Sequence, residues 1–151
     1  MMPSGVKRPE SVLVVIHTAA GSILLLERAD HPAFWQSVTG SLEAEDCDLL
    51  ATARREVREE TGLNPESGWC NWNRVQDFDI FPHWRHRYAP GVTRNREHMF
   101  SLEVTPDVPV ILSPREHRSF GWWPHVEAAQ RCTSLSNRQA IEWMAQAYGW
   151  A

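Results

Sequence analysis

The run SVLVVIH, Ser11 to His17, is apolar at every position from Val12 to Ile16 and rich in β-branched residues. That continuity predicts a strand covered on both faces rather than one with a wet and a dry side. TAAG then reads as a turn and GSILLLER as a second strand, so the two are expected to form a hairpin. Pro32 breaks the regularity of DHPAF, and WQSVTGSL reads as a short strand running into a glycine turn at Gly40. From Asp48 to Thr61 the period changes. Leu50, Ala53 and Val57 recur at helical spacing with no Pro or Gly between them, Asp46 or Asp48 is placed to cap the start, and Gly62 to stop the end. NWNRVQDFDIF and EHMFSLEV read as strands joined by the long basic segment PHWRHRYAPGVTRNR. HRSFGWW is a further strand ending at Pro124, and HVEAAQRC a short helix. SNRQAIEWMAQAYG closes the chain as a helix capped by Ser136 or Asn137, with Ile141, Met144, Ala145 and Tyr148 on one face. Strands with one helix early and another late indicate an α+β fold, a mixed β-sheet sandwiched between α-helices. With no repeat, linker or low-complexity tract, residues 1–151 are expected to form a single domain.

Composition narrows the function classes. An apolar share of 42% and a charged share of 23% are ordinary for a globular chain, and the 8 tryptophans are read as aromatic packing among strands. A formal net charge of −4 argues against sequence-independent binding to a phosphate backbone, so no nucleic acid partner is expected. The Val12–Ile16 run is too short for a membrane span, and no signal-peptide cleavage pattern precedes it. Cys47, Cys70 and Cys132 are scattered without metal-like spacing, which suits a reducing compartment; the expected location is cytoplasmic. The 7 histidines form neither HxH nor HExxH, which excludes the common zinc spacings. Oligomeric state is left open.

The chemistry gathers on the early helix. On a wheel of roughly 100° per residue, Glu56, Glu59 and Glu60 fall within one arc beside the buried edge marked by Leu50 and Val57, while Arg54, Arg55 and Arg58 fall mostly on the other side. Like charges at this spacing repel by a few tenths of a kcal/mol per pair, roughly, on an exposed helix, and by more where partly buried. A hard divalent cation reverses that cost, because Mg²⁺ takes oxygen ligands from carboxylates and substrate phosphates together. A plain solvated helix with an Arg55–Glu59 pair is the competing explanation, and on the helix alone it is the stronger.

Context shifts the balance. REVREETGL, Arg55 to Leu63, together with the glycine upstream, resembles the Nudix box, Gly, five residues, Glu, seven residues, Arg-Glu-apolar-x-Glu-Glu-x-Gly-apolar. Arg55, Glu56, Val57, Glu59, Glu60, Gly62 and Leu63 match every required position of the second half. The first half departs: counting back places the box glycine on Ser41 and its glutamate on Cys47, whereas Gly40 with Glu45 or Asp46 fits if the loop carries one extra residue. The resemblance implies a Nudix fold and hydrolysis of a nucleoside-diphosphate-like compound. It implies Mg²⁺, with Mn²⁺ as a substitute, on Glu56 and Glu60, Glu59 as a further or water-mediated contact, and Arg55 orienting a glutamate of the helix.

Further blocks (KRPESVLVVI, FWQSVTGS, FDIF, RHRYAPGVTRN, the EH of SPREHRSF, and SNRQAIE) are similar to a folate-pathway branch of that family, which converts 7,8-dihydroneopterin triphosphate to the monophosphate and pyrophosphate. They span Lys7 to Glu142. By this resemblance Glu116 is a third metal ligand and candidate general base, with His117 as an alternative base. Lys7 and Arg28 are candidates for the phosphates, and Ser134 for a substrate contact. Arg85, Arg87, Arg94 and Arg96 make the long loop basic; a phosphate-binding loop and a solvated, ion-paired surface are both open. For a flat ring, Phe78, Phe81 and Trp35 offer stacking, and Thr39 with the Phe78, Asp79, Ile80 and Phe81 backbone an edge to read. Two rival readings accompany this one: a pool-sanitising (deoxy)nucleoside triphosphate pyrophosphohydrolase, and a non-catalytic Nudix-fold binding module, which would be expected to have lost the box carboxylates.

Overall fold

In the computed structural model, which describes residues 6–151, strand β1 (Glu10–His17) lies in the middle of the sheet. The first five residues, part of the N-terminal stretch and single domain read above, lie outside the described residues. After β1 come β2 (Ser22–Arg28), β3 (Trp35–Gln36), β4 (Val38–Ser41), helix α1 (Leu49–Thr61), β5 (Trp69–Asp79), a 3-10 turn (Pro82–Arg87), β6 (Arg94–Glu103), β7 (His117–Pro124), α2 (His125–Arg131) and α3 (Leu135–Tyr148). β1 runs parallel to β6 from Glu10↔Arg96 to His17↔Glu103, and antiparallel to β2 and β4, so the sheet is mixed as expected. The β1–β2 hairpin is splayed. The two strands pair at His17↔Ile23 beside the turn, and the other half of that edge of β1, Ser11 to Val14, pairs with β4. β2 turns instead to β7 and β3.

Both faces of the sheet are covered, which is why the Val12–Ile16 run carries no polar position. Val12, Val14 and Ile16 pack with Phe100 and Leu102 of β6 against Ala53 and Val57 of α1. The alternate residues, Leu13 and Val15, pack with Met99 against Ala128, Ala140, Ile141 and Met144 of α2 and α3. Each such fully buried aliphatic side chain contributes roughly 1.5–3 kcal/mol.

Several local readings are corrected. Gly40 is not in a turn; it lies within β4, opposite Val12. Asp48 is the N-cap of α1, accepting from the Ala51 N–H at 2.7 Å, which leaves Asp46 for another task. In the first turn of that helix Leu49, not Leu50, packs on the core, and Leu50 stays 39% exposed. The last helix starts one residue before the expected caps and is capped by Ser134, while Tyr148 at its far end is exposed rather than part of the buried face. Gly62 ends α1 in the left-handed region (φ 75°), as expected. Among the described residues the cysteines are free, and no helix is long and apolar enough to cross a membrane.

Candidate active site

Helix α1 lies over β4, and its inner face is unusual in carrying carboxylates. Glu56 (7% exposed) and Glu60 (2% exposed) share the buried face with Ala53 and Val57, and Glu59 points out toward solvent. Burial, the charge of Glu56, a side-chain hydrogen bond between the two and the charge of Glu116 push the Glu60 carboxyl well above its ordinary value. Glu56 is raised too, chiefly by burial, with its hydrogen bond to Glu60 and the Arg55 charge working against the rise and Glu59 adding to it. Among the described residues Glu60 Oε1 has no hydrogen-bond partner. The nearest base, His117 Nε2, stands 3.8 Å away. Burial and Arg28 lower that imidazole to about 4, so it is neutral and forms no ion pair. Its Nε2 lies 3.2 Å from the Gln36 side-chain nitrogen, which fits an amide donating to an acceptor ring nitrogen.

Arg55 is not on the far side of the wheel. Its guanidinium reaches back over the acids, donating to Glu56 at 2.8 Å and to Asp46 through Nε at 3.1 Å and Nη2 at 2.9 Å. The Glu59 contact that a simple i,i+4 pair would favour is the longer one, 3.5 Å. Asp46 also accepts from the Thr52 hydroxyl and the Glu43 N–H. The acid ahead of the inserted loop residue is therefore Asp46 rather than Glu45, and it fixes Arg55, which in turn fixes Glu56. Arg55 bonding holds the Asp46 carboxyl down to about 2 from 3.8. A depressed carboxyl stabilises the fold above its unfolded value and loses that contribution as pH falls through the folded one. Asp46→Ala is expected to cost about 1.5–3 kcal/mol in urea unfolding at pH 6. The deficit should shrink toward pH 2, and turnover should fall because Arg55 is released.

The carboxylates open into a cleft of about 1100 Å³. Lys7, Arg28, Thr39, Phe78, Ile80, Phe81, Glu116 and Ser134, all expected at the site, line it. Asp79 does not; it is exposed and faces Arg94 at 3.4 Å. Trp35 does not stack in the cleft either. It packs edge-on against Trp123 beside the α2–α3 core. Of the four arginines Arg85, Arg87, Arg94 and Arg96, Arg87 lines the cleft, bridging to Asp30 at 2.9 Å. Arg94 and Arg96 are the ion-paired surface, with Asp79 and Asp77, and Arg85 bonds the Ile80 carbonyl of its own loop. Arg28 is held by Asp30 at 2.7 Å and stacked on Trp84. Burial and the charges of Arg87 and Arg28 lower the Lys7 ammonium. Burial and Glu59 raise the Glu116 carboxyl.

The expected three-carboxylate ligand set is not closed: among the described residues no three His, Cys, Asp or Glu side chains are gathered at metal-holding distance. Glu116 belongs to an exposed loop rather than to the helix. The donor set nonetheless fits a hard divalent cation, since two buried carboxylates crowd one another, one oxygen is unpartnered, and Glu59 and Glu116 face the same cleft. The sequence reading missed Asp30, Gln36, Trp84, Asn95, Glu97 and Asn137, all of which line the cleft.

A family profile described as NUDIX domain matches residues 7–144. Dihydroneopterin triphosphate diphosphatase of Escherichia coli (strain K12) is 44% identical over 140 residues, 90% of this chain and 91% of that one. The protein of the same description from Haemophilus influenzae is 39% identical, over 90% of this chain and 87% of its own. The solved structure of the E. coli dihydroneopterin triphosphate pyrophosphohydrolase superposes with a TM-score of 0.85 at 42% identity, covering 91% of this chain and 94% of that one.

Proposed function

The chain belongs to the NUDIX family, and on that premise we propose that it is a Mg²⁺-dependent dihydroneopterin triphosphate diphosphatase, adding water to 7,8-dihydroneopterin triphosphate and releasing the monophosphate and pyrophosphate in folate biosynthesis. The observation that carries this reading is one cleft with two kinds of lining. Crowded carboxylates and the cations Lys7, Arg28 and Arg87 share it with the aromatic rings of Phe34, Phe78, Phe81 and Trp84 and with uncharged polar side chains. A triphosphate attached to a flat polar ring matches both.

Glu56 and Glu60 would hold the divalent cation, with Glu59 at the outer edge and Glu116 across the cleft. The bound cation neutralises phosphate oxygens and makes the attacking water more acidic. Arg55, anchored by Asp46, keeps Glu56 aimed. Lys7, Arg28 and Arg87 offer the remaining positive charge to the polyphosphate, and Asp30 and Trp84 hold two of them in place. Glu116 takes the proton from water: its carboxyl is raised by burial and by Glu59 and belongs to an exposed loop lining the cleft, whereas neutral, buried His117 is committed to Gln36. The non-catalytic reading loses ground because the helix carboxylates are intact and are turned toward the cleft.

Turnover of 7,8-dihydroneopterin triphosphate, dATP and an oxidised dGTP should be compared with Mg²⁺, with Mn²⁺ and with chelator. Preference for the pterin substrate is expected, with activity restored by either metal and none under chelation. A clear preference for a nucleotide would replace the substrate with that of the pool-sanitising reading.

A further inference from the structure

Strand β6 carries a carboxylate that none of the steps above uses. Residues two apart on a strand share a face. Asn95 and Glu97 therefore continue the face of Met99, and their partner Ser11 that of Leu13 and Val15, the side that packs under α3. Both side chains line the cleft away from the α1 acids. Glu97 is 6% exposed and Asn95 2%. Asn95 donates to the Ser11 hydroxyl at 2.7 Å, but among the described residues neither its Oδ1 nor Glu97 Oε1 has a hydrogen-bond partner. Phe78 pairs directly across the sheet from Asn95. Burial pushes the Glu97 carboxyl up to about 7, and a hydrogen bond from the Ser136 hydroxyl offsets part of that rise.

Buried polar groups in folded proteins are almost always hydrogen-bonded, and an exception calls for an explanation. Two unpartnered acceptors on one face of a strand, in residues that line a ligand-sized cleft, call for a ligand that presents donors. We propose that Glu97 is the ring-reading residue of this cleft, accepting two parallel N–H bonds from the 2-amino-4-oxopyrimidine edge of the substrate. The proposal rests on the pterin reading above and extends it. In a pterin, the ring N3–H and the exocyclic 2-amino group point the same way, spaced to meet the two oxygens of a carboxylate. Guanine presents the same pair. Adenine and cytosine present one donor beside a ring acceptor, which a carboxylate would repel. The phosphates lie among the cations and α1 acids, and Glu97 sorts the head groups at the other wall. Phe78 provides the flat side and Asn95 Oδ1 a further acceptor at the ring margin.

Glu97→Gln tests this, because it keeps the shape, removes the charge, and turns an amide donor toward one of the two ring donors. The kcat/KM for 7,8-dihydroneopterin triphosphate should drop on the order of 10–100-fold more than that for dATP. The melting temperature should stay level or rise, because an uncompensated buried charge is gone. Equal losses on both substrates, or no loss on the pterin, would overturn the assignment. Fluorescence titration of phosphate-free dihydroneopterin under chelation separates this from the substrate reading. If the native enzyme does not turn over the pterin triphosphate, the substrate reading fails by itself. Glu97 then stands if dihydroneopterin or guanosine binds the native protein and not the variant, and falls if neither ring binds or both proteins bind alike.

Discussion

Glu60→Gln is expected to be inactive and more stable than its parent. The two effects share one cause. Glu60 is buried, within reach of a second buried carboxylate, has an oxygen without a partner, and faces an imidazole that is neutral at working pH. A charge in that position is costly unless a proton or a bound cation compensates it. Gln fills the same volume without the charge, so the metal-free variant should gain about 1–2 kcal/mol in unfolding experiments. On the proposed reading the same substitution removes a ligand for the dication. Turnover should fall on the order of 10³-fold or more, about 4 kcal/mol at roughly 1.36 kcal/mol per decade. Mg²⁺ should raise the melting temperature of the parent and leave that of the variant nearly unchanged, because only a site present in the folded state converts binding into stability. Retained turnover would remove Glu60 from the metal site. A strongly destabilised variant would instead make the carboxylate a structural group.

How much of this was open to sequence reasoning depended on whether a residue's environment is set locally. The central strand was legible because an unbroken β-branched run admits one environment, apolar on both sides, and the structure supplies α1 on one face and α2 with α3 on the other. The carboxylate helix was legible from its period, its glycine stop and the Nudix box together. The choice between Glu45 and Asp46 was not: it turns on a bidentate contact across nine positions of chain, which spacing alone does not reveal. The basic loop stayed undecided between two readings for a similar reason. Arg94 and Arg96 alternate with Asn95 along β6, so the charged residues face solvent and the uncharged one faces the cleft. Read without a sheet beside it, a polar strand looks solvated on both faces, and this hid Glu97. Trp35 was a stacking candidate because it is aromatic, but its position on β3 sends it to Trp123 and the α2–α3 core.

Gly40→Ala is the sharpest test of how finely the acids must be placed. As a turn residue Gly40 would need a positive φ, and it has none; the backbone there is that of a strand paired with Val12, which alanine adopts readily. The constraint comes from the space in front of it. A Cβ on Gly40 would overlap the Glu56 carboxylate, its Cδ and both oxygens. That carboxylate is the far end of a flexible side chain, so the fold can absorb the clash by turning Glu56 away. Replacing a strand glycine also recovers about 0.5–1 kcal/mol of backbone entropy, so the net change in stability should be within about 1 kcal/mol. Activity should not survive as well. Glu56 would lose its contacts with Arg55 and Glu60, and a misplacement of about 1 Å at a reacting centre is enough to cost on the order of 10²-fold. The measurement is kcat/KM with Mg²⁺ beside a thermal melt. Combining Gly40→Ala with Glu56→Gln should be no worse than Glu56→Gln alone, because both substitutions disable the same group. Full activity in Gly40→Ala would mean that Glu56 need not stand where the structure has it. Additive losses in the double variant would mean that the glycine serves something other than the carboxylate above it.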